Sequence, residues 1–215
     1  MLTPQRRARI DQVVEARQRG CVVLEDVYDP GNIAAVMRTC EAFGFQNVAL
    51  VFDRQVPFDP RKFGADISTA ANKWLDFEVH RSSEECLDRL EATGHEVIAT
   101  IPGEDADSIF EVDLTCELPA VWIGNEHTGL SEPALARARR RVSVPLVGMV
   151  QSLNLSVTAG ILLYEITRQR AARGMDAYRL ATEERSRLSR DFLQRAEDPR
   201  VVRARRTRSK RSPER

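Results

Sequence analysis

Short apolar runs alternate with segments of helical spacing along most of this chain, and that alternation limits its fold more than any other feature. Cys21–Glu25, Asn47–Phe52, Phe77–His80, Glu96–Ile101, Ala120–Ile123 and the run from Val142 to Pro145 each read as a strand. Between them lie helical patterns. Asn32, placed to cap its helix after the turn Asp29-Pro30-Gly31, leads into Ile33, Val36, Met37 and Cys40 on one face, and Gly44 stops that helix. Ser68–Leu75 and Ser131–Arg137 are short helices, and Ser82-Ser83-Glu84-Glu85 has capping-box spacing before a helix ended by Gly94. Strands separated by helices cannot pair as tight hairpins, so the expectation is an α/β fold with a mostly parallel sheet covered on both faces. The stretch VSVPLVGMVQSLNLSVTAGILLYE, Val142 to Glu165, holds strand, polar loop and helix in sequence. Such a loop stands at the sheet edge where α/β folds bind small ligands.

The two ends differ from this body. Thr3 as cap and Pro4 at the first helical position start a helix that Gly20 can end, with Ile10, Val13 and Val14 as a narrow apolar stripe. A second amphipathic helix is expected from Thr182 to Ala196, and the residues past Pro199 have too little to bury to order by themselves. The boundaries drawn are therefore 1–20, a basic N-terminal helix; 21–174, the α/β domain; 175–198, a helical extension; and 199–215, a basic disordered tail.

A formal net charge of zero hides a strong polarity. Residues 1–20 carry five arginines against two acids, and residues 168–215 carry sixteen basic against seven acidic side chains; the body between them has a net charge of −12. Basic ends on an acidic body suggest arms that meet a polyanion. No apolar run approaches the roughly 18 residues of a membrane span, and the N-terminus lacks the apolar core of a secretory signal. Cys21, Cys40, Cys86 and Cys116 are too scattered for a metal site and suit thiols in a reducing cytoplasm. Neither a dinucleotide-binding glycine fingerprint nor a P-loop is present.

Three segments then carry the chemistry: NIAAVMRTCEAFG at 32–44, VWIGNEHTGLSE at 121–132 and VPLVGMVQSLNLSVTAGILLYE at 144–165. In this order they resemble the three motifs of the SpoU family of RNA 2′-O-ribose methyltransferases, in the SPOUT class, and within it the tRNA guanosine methyltransferases. The resemblance implies a SPOUT-type parallel sheet with a C-terminal trefoil knot, flanked by N- and C-terminal helical extensions and assembled as a homodimer. It implies S-adenosylmethionine as cofactor, no metal, and tRNA as substrate, with guanosine 18 of the D-loop as the target. Alternatives are another tRNA ribose, ribosomal RNA, or a catalytically silent RNA-binding protein.

Carried over by position, Thr100, Gly124, Val144 and Leu153 are expected around the cofactor, the small Gly124 allowing close approach of the backbone. Asn32 and Arg38 match the first motif, Glu126 the acid of the second, and Ser152 and Asn154 the polar pair of the third. Arg38 is the residue the family ties most closely to catalysis. Deprotonating an arginine near pH 7 costs roughly 7 kcal/mol, so base and phosphate clamp both stay open. With RNA as partner, Arg6, Arg7, Arg9, Arg168 and Arg170 become the candidate phosphate contacts.

Overall fold

Alternate residues of β1 (Gln18–Glu25) point into two different cores, which is how a strand buried on both faces uses its two-residue period. Val22 and Leu24 join one apolar cluster, Cys21 and Val23 the other. The computed structural model describes residues 2–58, 71–103 and 105–197. The basic tail and much of the loop after Phe52 lie outside the described residues, so the expected disorder of the one and the start of the expected Ser68–Leu75 helix do too.

Residues 18–179 form one compact unit. After β1 come α2 (Pro30–Phe43), β2 (Phe45–Val51), a 3-10 turn (Ala71–Trp74), β3 (Asp76–His80), α3 (Ser83–Ala92), β4 (Glu96–Thr100) and β5 (Asp107–Ser108). The unit continues with β6 (Pro119–Ile123), α4 (Glu132–Ala136), β7 (Arg140–Ser143), α5 (Leu155–Arg173) and a second 3-10 turn, Met175–Tyr178. The seven strands lie in the order β3-β2-β1-β6-β4-β7-β5, and every pair is parallel. One face packs on α2, through Ile33, Val36, Met37 and Cys40, and on α5, through Leu155, Ala159, Leu162, Leu163 and Ile166. The other packs on Cys86, Leu87 and Leu90 of α3 and on Ala134 of α4. The expected α/β architecture with a covered parallel sheet is observed.

Several boundaries differ from expectation, each for a local reason. Asp29, not Asn32, caps α2: its carboxylate accepts the Gly31 N–H at 2.9 Å, and Pro30 takes the first helical position, where its missing N–H costs nothing. Gly20 does not end the first helix but lies inside β1, at a break in register with β2 and with φ of +124°. A side chain there would crowd Pro119 at 2.9 Å. The strand expected to end at Pro145 instead spans the arginine-bearing Arg140–Ser143, because Ile98, Ala99 and Thr100 of β4 pair with Arg140, Arg141 and Val142.

The chain ends make up the second unit, residues 1–17 with 180–215. Within it α1 (Pro4–Glu15), capped by Thr3 as expected, packs on α6 (Thr182–Glu197), so the two extensions read separately in sequence belong together. Ile10 and Val14 face Leu188, Phe192 and Ala196 as buried residues, Arg185 pairs with Glu15, and the Arg17 guanidinium lies 5.5 Å from the Phe192 ring centre.

Candidate active site

The C-terminal ends of β4, β6 and β7 open onto one cavity of about 500 Å³, within the usual range for small-molecule sites. Thr100, Gly124, Val144 and Leu153, each expected around a cofactor, all line it, as do Glu126, Ser152 and Asn154. Ile123, Val142 and Leu162 give it apolar wall, while Asn125, Glu126 and Gln151 give it polar wall. That mixture suits an organic ligand with a flat apolar part and a cationic group. Thr100 also has a structural bond, donating its hydroxyl to the Trp122 carbonyl at 3.0 Å across the β4–β6 pair.

Gly124 is small for a reason the sequence did not suggest. A Cβ there would collide with the Gly129 carbonyl, since the loop after β6 folds back over it. The Asn125 and Gly129 main chains exchange two hydrogen bonds of 3.0 Å and close that loop into a ring.

Asn32 is not among the lining residues, yet it connects two that are. Its side-chain nitrogen donates to Glu126 Oε1 at 2.8 Å, and its oxygen accepts from Asn154 Nδ2 at 2.9 Å. Asn154 is held in turn as the cap of α5: its oxygen accepts the Ser156 N–H at 2.9 Å and the Ser156 hydroxyl at 2.5 Å. The three motifs are thus joined side chain to side chain. Arg38 stands apart from this chain of bonds. It is exposed on α2, and its side chain makes no hydrogen bond or ion pair with any described residue.

The expected phosphate contacts divide sharply. Arg7 and Arg9 are exposed on α1 and Arg6 is partly so. Arg168 is exposed and forked onto Glu165 at 2.7 and 2.8 Å, a pair that holds the Glu165 carboxyl below its ordinary value. Arg170 is a correction: it is fully buried. Its guanidinium donates to Gln18 Oε1 and to the carbonyls of Arg19, Cys116 and Glu117 at 2.8–3.2 Å, and lies between the Phe45 and Tyr178 rings. Burial pulls it down to about 10, and it has no face left for RNA.

Two residues with large roles here escaped the sequence reading. Glu25 is a buried carboxylate that accepts from the Ser83 hydroxyl, the Trp122 indole at 2.9 Å and the Ser131 N–H at 3.2 Å, so it anchors the far end of the Glu126 loop. Asp26 holds the near end. The available signal was two adjacent acids closing the apolar run Cys21-Val22-Val23-Leu24. Among the described residues no group of three potential metal ligands occurs, and no helix is long and apolar enough to cross a membrane.

Known proteins resemble this chain in sequence and fold. The SpoU rRNA Methylase family matches residues 20–164. A tRNA (guanosine(18)-2′-O)-methyltransferase of Thermus thermophilus is 38% identical over 193 residues, covering 89% of this chain and 97% of that protein. The crystal structure of the A. aeolicus TrmH/SpoU tRNA modifying enzyme superposes with a TM-score of 0.76 at 29% identity, over 91% of this chain and 97% of that one. The SpoU methyltransferase AviRb from Streptomyces viridochromogenes, solved in complex with the cofactor AdoMet, superposes at 0.61 with 26% identity, over 75% of this chain and 64% of that one. Motifs, sheet and cavity thus agree with a match over two thirds of the sequence, and the chain belongs to the SpoU methylase family.

Proposed function

We propose that this protein transfers a methyl group from S-adenosylmethionine to the ribose 2′-oxygen of guanosine 18 in the tRNA D-loop. The observation that carries the reading is the convergence of the second and third motifs on one cavity, with Asn32 of the first joining Glu126 to Asn154. Similarity to tRNA (guanosine(18)-2′-O)-methyltransferases supports the substrate, and similarity to an AdoMet-bound SpoU enzyme supports the cofactor.

When bound, the cofactor supplies an electrophilic methyl on a sulfonium. Thr100, Gly124, Val144 and Leu153 are the residues assigned to hold it, with Ile123, Val142 and Leu162 offering apolar surface and Glu126 a carboxylate for a cationic group. Methyl transfer to an oxygen requires alignment above all. The Glu126–Asn32–Asn154 chain supplies it by fixing the Glu126 loop and the start of α5 against the first turn of α2, and Ser152 adds a hydroxyl at the cavity wall. Arg38 is assigned to a substrate phosphate: an exposed guanidinium without a partner among the described residues is a permanent cation with its donor fork open. Arg6, Arg7, Arg9 and Arg168 complete the set of proposed phosphate contacts, without Arg170.

The SPOUT trefoil knot and a homodimer belong to the same proposal. Val147, Met149 and Val150 in the loop, and Val157 and Tyr164 on α5, expose apolar surface that a second copy would cover. The units 1–17 with 180–215 and 18–179 then serve as RNA-binding extension and methyltransferase domain. Cys21, Cys86 and Cys116 are reduced thiols, which suits a cytoplasmic enzyme.

The test is methylation of tRNA transcripts with labelled S-adenosylmethionine, followed by mapping of the modified ribose. Label at guanosine 18 that disappears when a deoxyguanosine replaces it supports the proposal. Label elsewhere, or none, refutes it.

A further inference from the structure

Glu126 is presented by a ring that one side-chain bond ties to the end of β1. Inside the ring, Asn125 Oδ1 accepts the His127 N–H at 2.8 Å and the Thr128 N–H at 3.1 Å. From its other end, Asn125 Nδ2 donates to the Asp26 carbonyl at 2.7 Å. That carbonyl points at Asn125 because Asp26 is left-handed, with φ of +49°, the only positive φ at a non-glycine among the described residues. The conformation is unfavourable for an L-residue, least so for Asp and Asn. It is held from both sides. The Asp26 carboxylate, 7% exposed, accepts the N–H groups of Asp53 at 3.0 Å and Arg54 at 3.1 Å. Gln55 donates to the same carbonyl at 2.6 Å, and the Asp26 N–H bonds to Val51 at 2.9 Å.

We infer that Asp26 is a positioning residue: its left-handed backbone aims its carbonyl at Asn125, which fixes the ring that sets Glu126 against Asn32. The end of β1 and the first turn of α2 then grip the ring twice, through Asp26 to Asn125 and through Asn32 to Glu126. Turning the Asp26 carbonyl away strands the Asn125 amide and leaves the ring pivoting on its two stems. Glu126 and Asn32 lose their register, although neither has been altered. The kinetic arm of the test rests on the methyltransferase reading; the structural arm does not.

The experiment compares Asp26→Asn, Asp26→Gly and Asp26→Ala in the full-length protein. Asn keeps the left-handed preference and one acceptor, Gly keeps the conformation alone, and Ala keeps neither. Amide hydrogen exchange at His127 and Thr128 is read by NMR, with β1 core amides as the control, alongside kcat for tRNA methylation. Asp26→Asn stays within about threefold of wild type in both readouts. Asp26→Ala speeds exchange at His127 and Thr128 at least about tenfold, leaves the β1 amides unchanged and lowers kcat about tenfold or more, with Asp26→Gly between. Adding Asp26→Ala to Asn125→Ala costs no further kcat, since both break one link. Wild-type exchange at the two ring amides in Asp26→Ala, or a double variant whose losses multiply, overturns the inference. If Asp26→Ala does not fold, Asp26→Gly is judged by the same criteria at about threefold. A wild-type protein that methylates no tRNA refutes the proposed function while the exchange readout still decides the role of Asp26.

Discussion

Asn32 and Glu126, 94 residues apart in the chain, share a 2.8 Å hydrogen bond in which the Asn32 nitrogen donates and the carboxylate accepts. The orientation of the amide is forced, because Asn154 already donates to the Asn32 oxygen. Asn32→Asp therefore sets two carboxylates against each other and leaves Asn154 as their only shared donor. We predict that it lowers kcat about 100-fold at pH 8, with partial recovery on acidification as the pair takes up a proton. Asn32→Ala, which removes the bridge without adding repulsion, costs about tenfold at every pH. Steady-state methylation from pH 6 to 9 checks both; a flat Asn32→Asp profile would falsify the assignment.

Arg38→Ala should remove most methyl transfer while cofactor affinity stays within about threefold, since Arg38 touches neither the cavity nor its hydrogen-bonded residues. Arg38→Lys should restore little, because an ammonium cannot reproduce the planar fork. Calorimetric titration with S-adenosylhomocysteine and single-turnover methylation separate the two effects. Weakened cofactor binding in Arg38→Ala would place the residue on the wrong side of the reaction.

Arg170→Ala and Arg7→Ala should fail in opposite ways. Removing the buried Arg170 leaves four acceptors without their donor and should destabilise the fold by about 3–5 kcal/mol in urea titrations. Removing the exposed Arg7 should leave stability alone and flatten the salt dependence of tRNA binding by about one contact. A stable Arg170→Ala protein with weakened tRNA binding would return Arg170 to the RNA-binding set.

The acid limb of stability should depend on His95. Burial holds its imidazole below the ordinary 6.5, and its Nδ1 lies 2.9 Å from the Thr93 hydroxyl. The folded state therefore binds this proton less readily than the unfolded chain. Its contribution is complete above about pH 6.5 and is lost as the pH falls, by at most about 1.4 kcal/mol per pH unit. Unfolding free energies of wild type and His95→Gln, compared between pH 5 and 7, should converge at the acid end. Parallel curves would rule His95 out.

The sheet was legible because each of its longer strands is a short apolar run, and the two-residue period assigns Val22 and Cys21 to opposite faces. β5, with two residues, is too short to leave a pattern. Gly124, Val144 and Leu153 came from the second and third motifs and Thr100 from the family resemblance at the end of a strand, rather than from any local signal, and all four line one cavity. What stayed hidden was long-range: nothing near Asn32 announces partners 94 and 122 residues away, so a helix cap was the natural local reading. Arg170 went astray because charge was counted along a line. Its spacing of seven from Leu163 and four from Ile166 puts it on the buried face of α5, a signal that outweighs its place in a basic segment.

That burial also orders events in time. The acceptors of Arg170 come from residues 151 to 152 positions earlier, in β1, and 53 to 54 positions earlier, before β6. Until both segments are in place, water is the better solvent for the guanidinium, and the last turns of α5 have no reason to dock. During synthesis α5 emerges after both segments. In refolding from denaturant the whole chain competes at once, and a misregistered β1 offers no oxygens to accept it. The Arg170 bonds thus make the docked position of α5 depend on two segments far earlier in the chain.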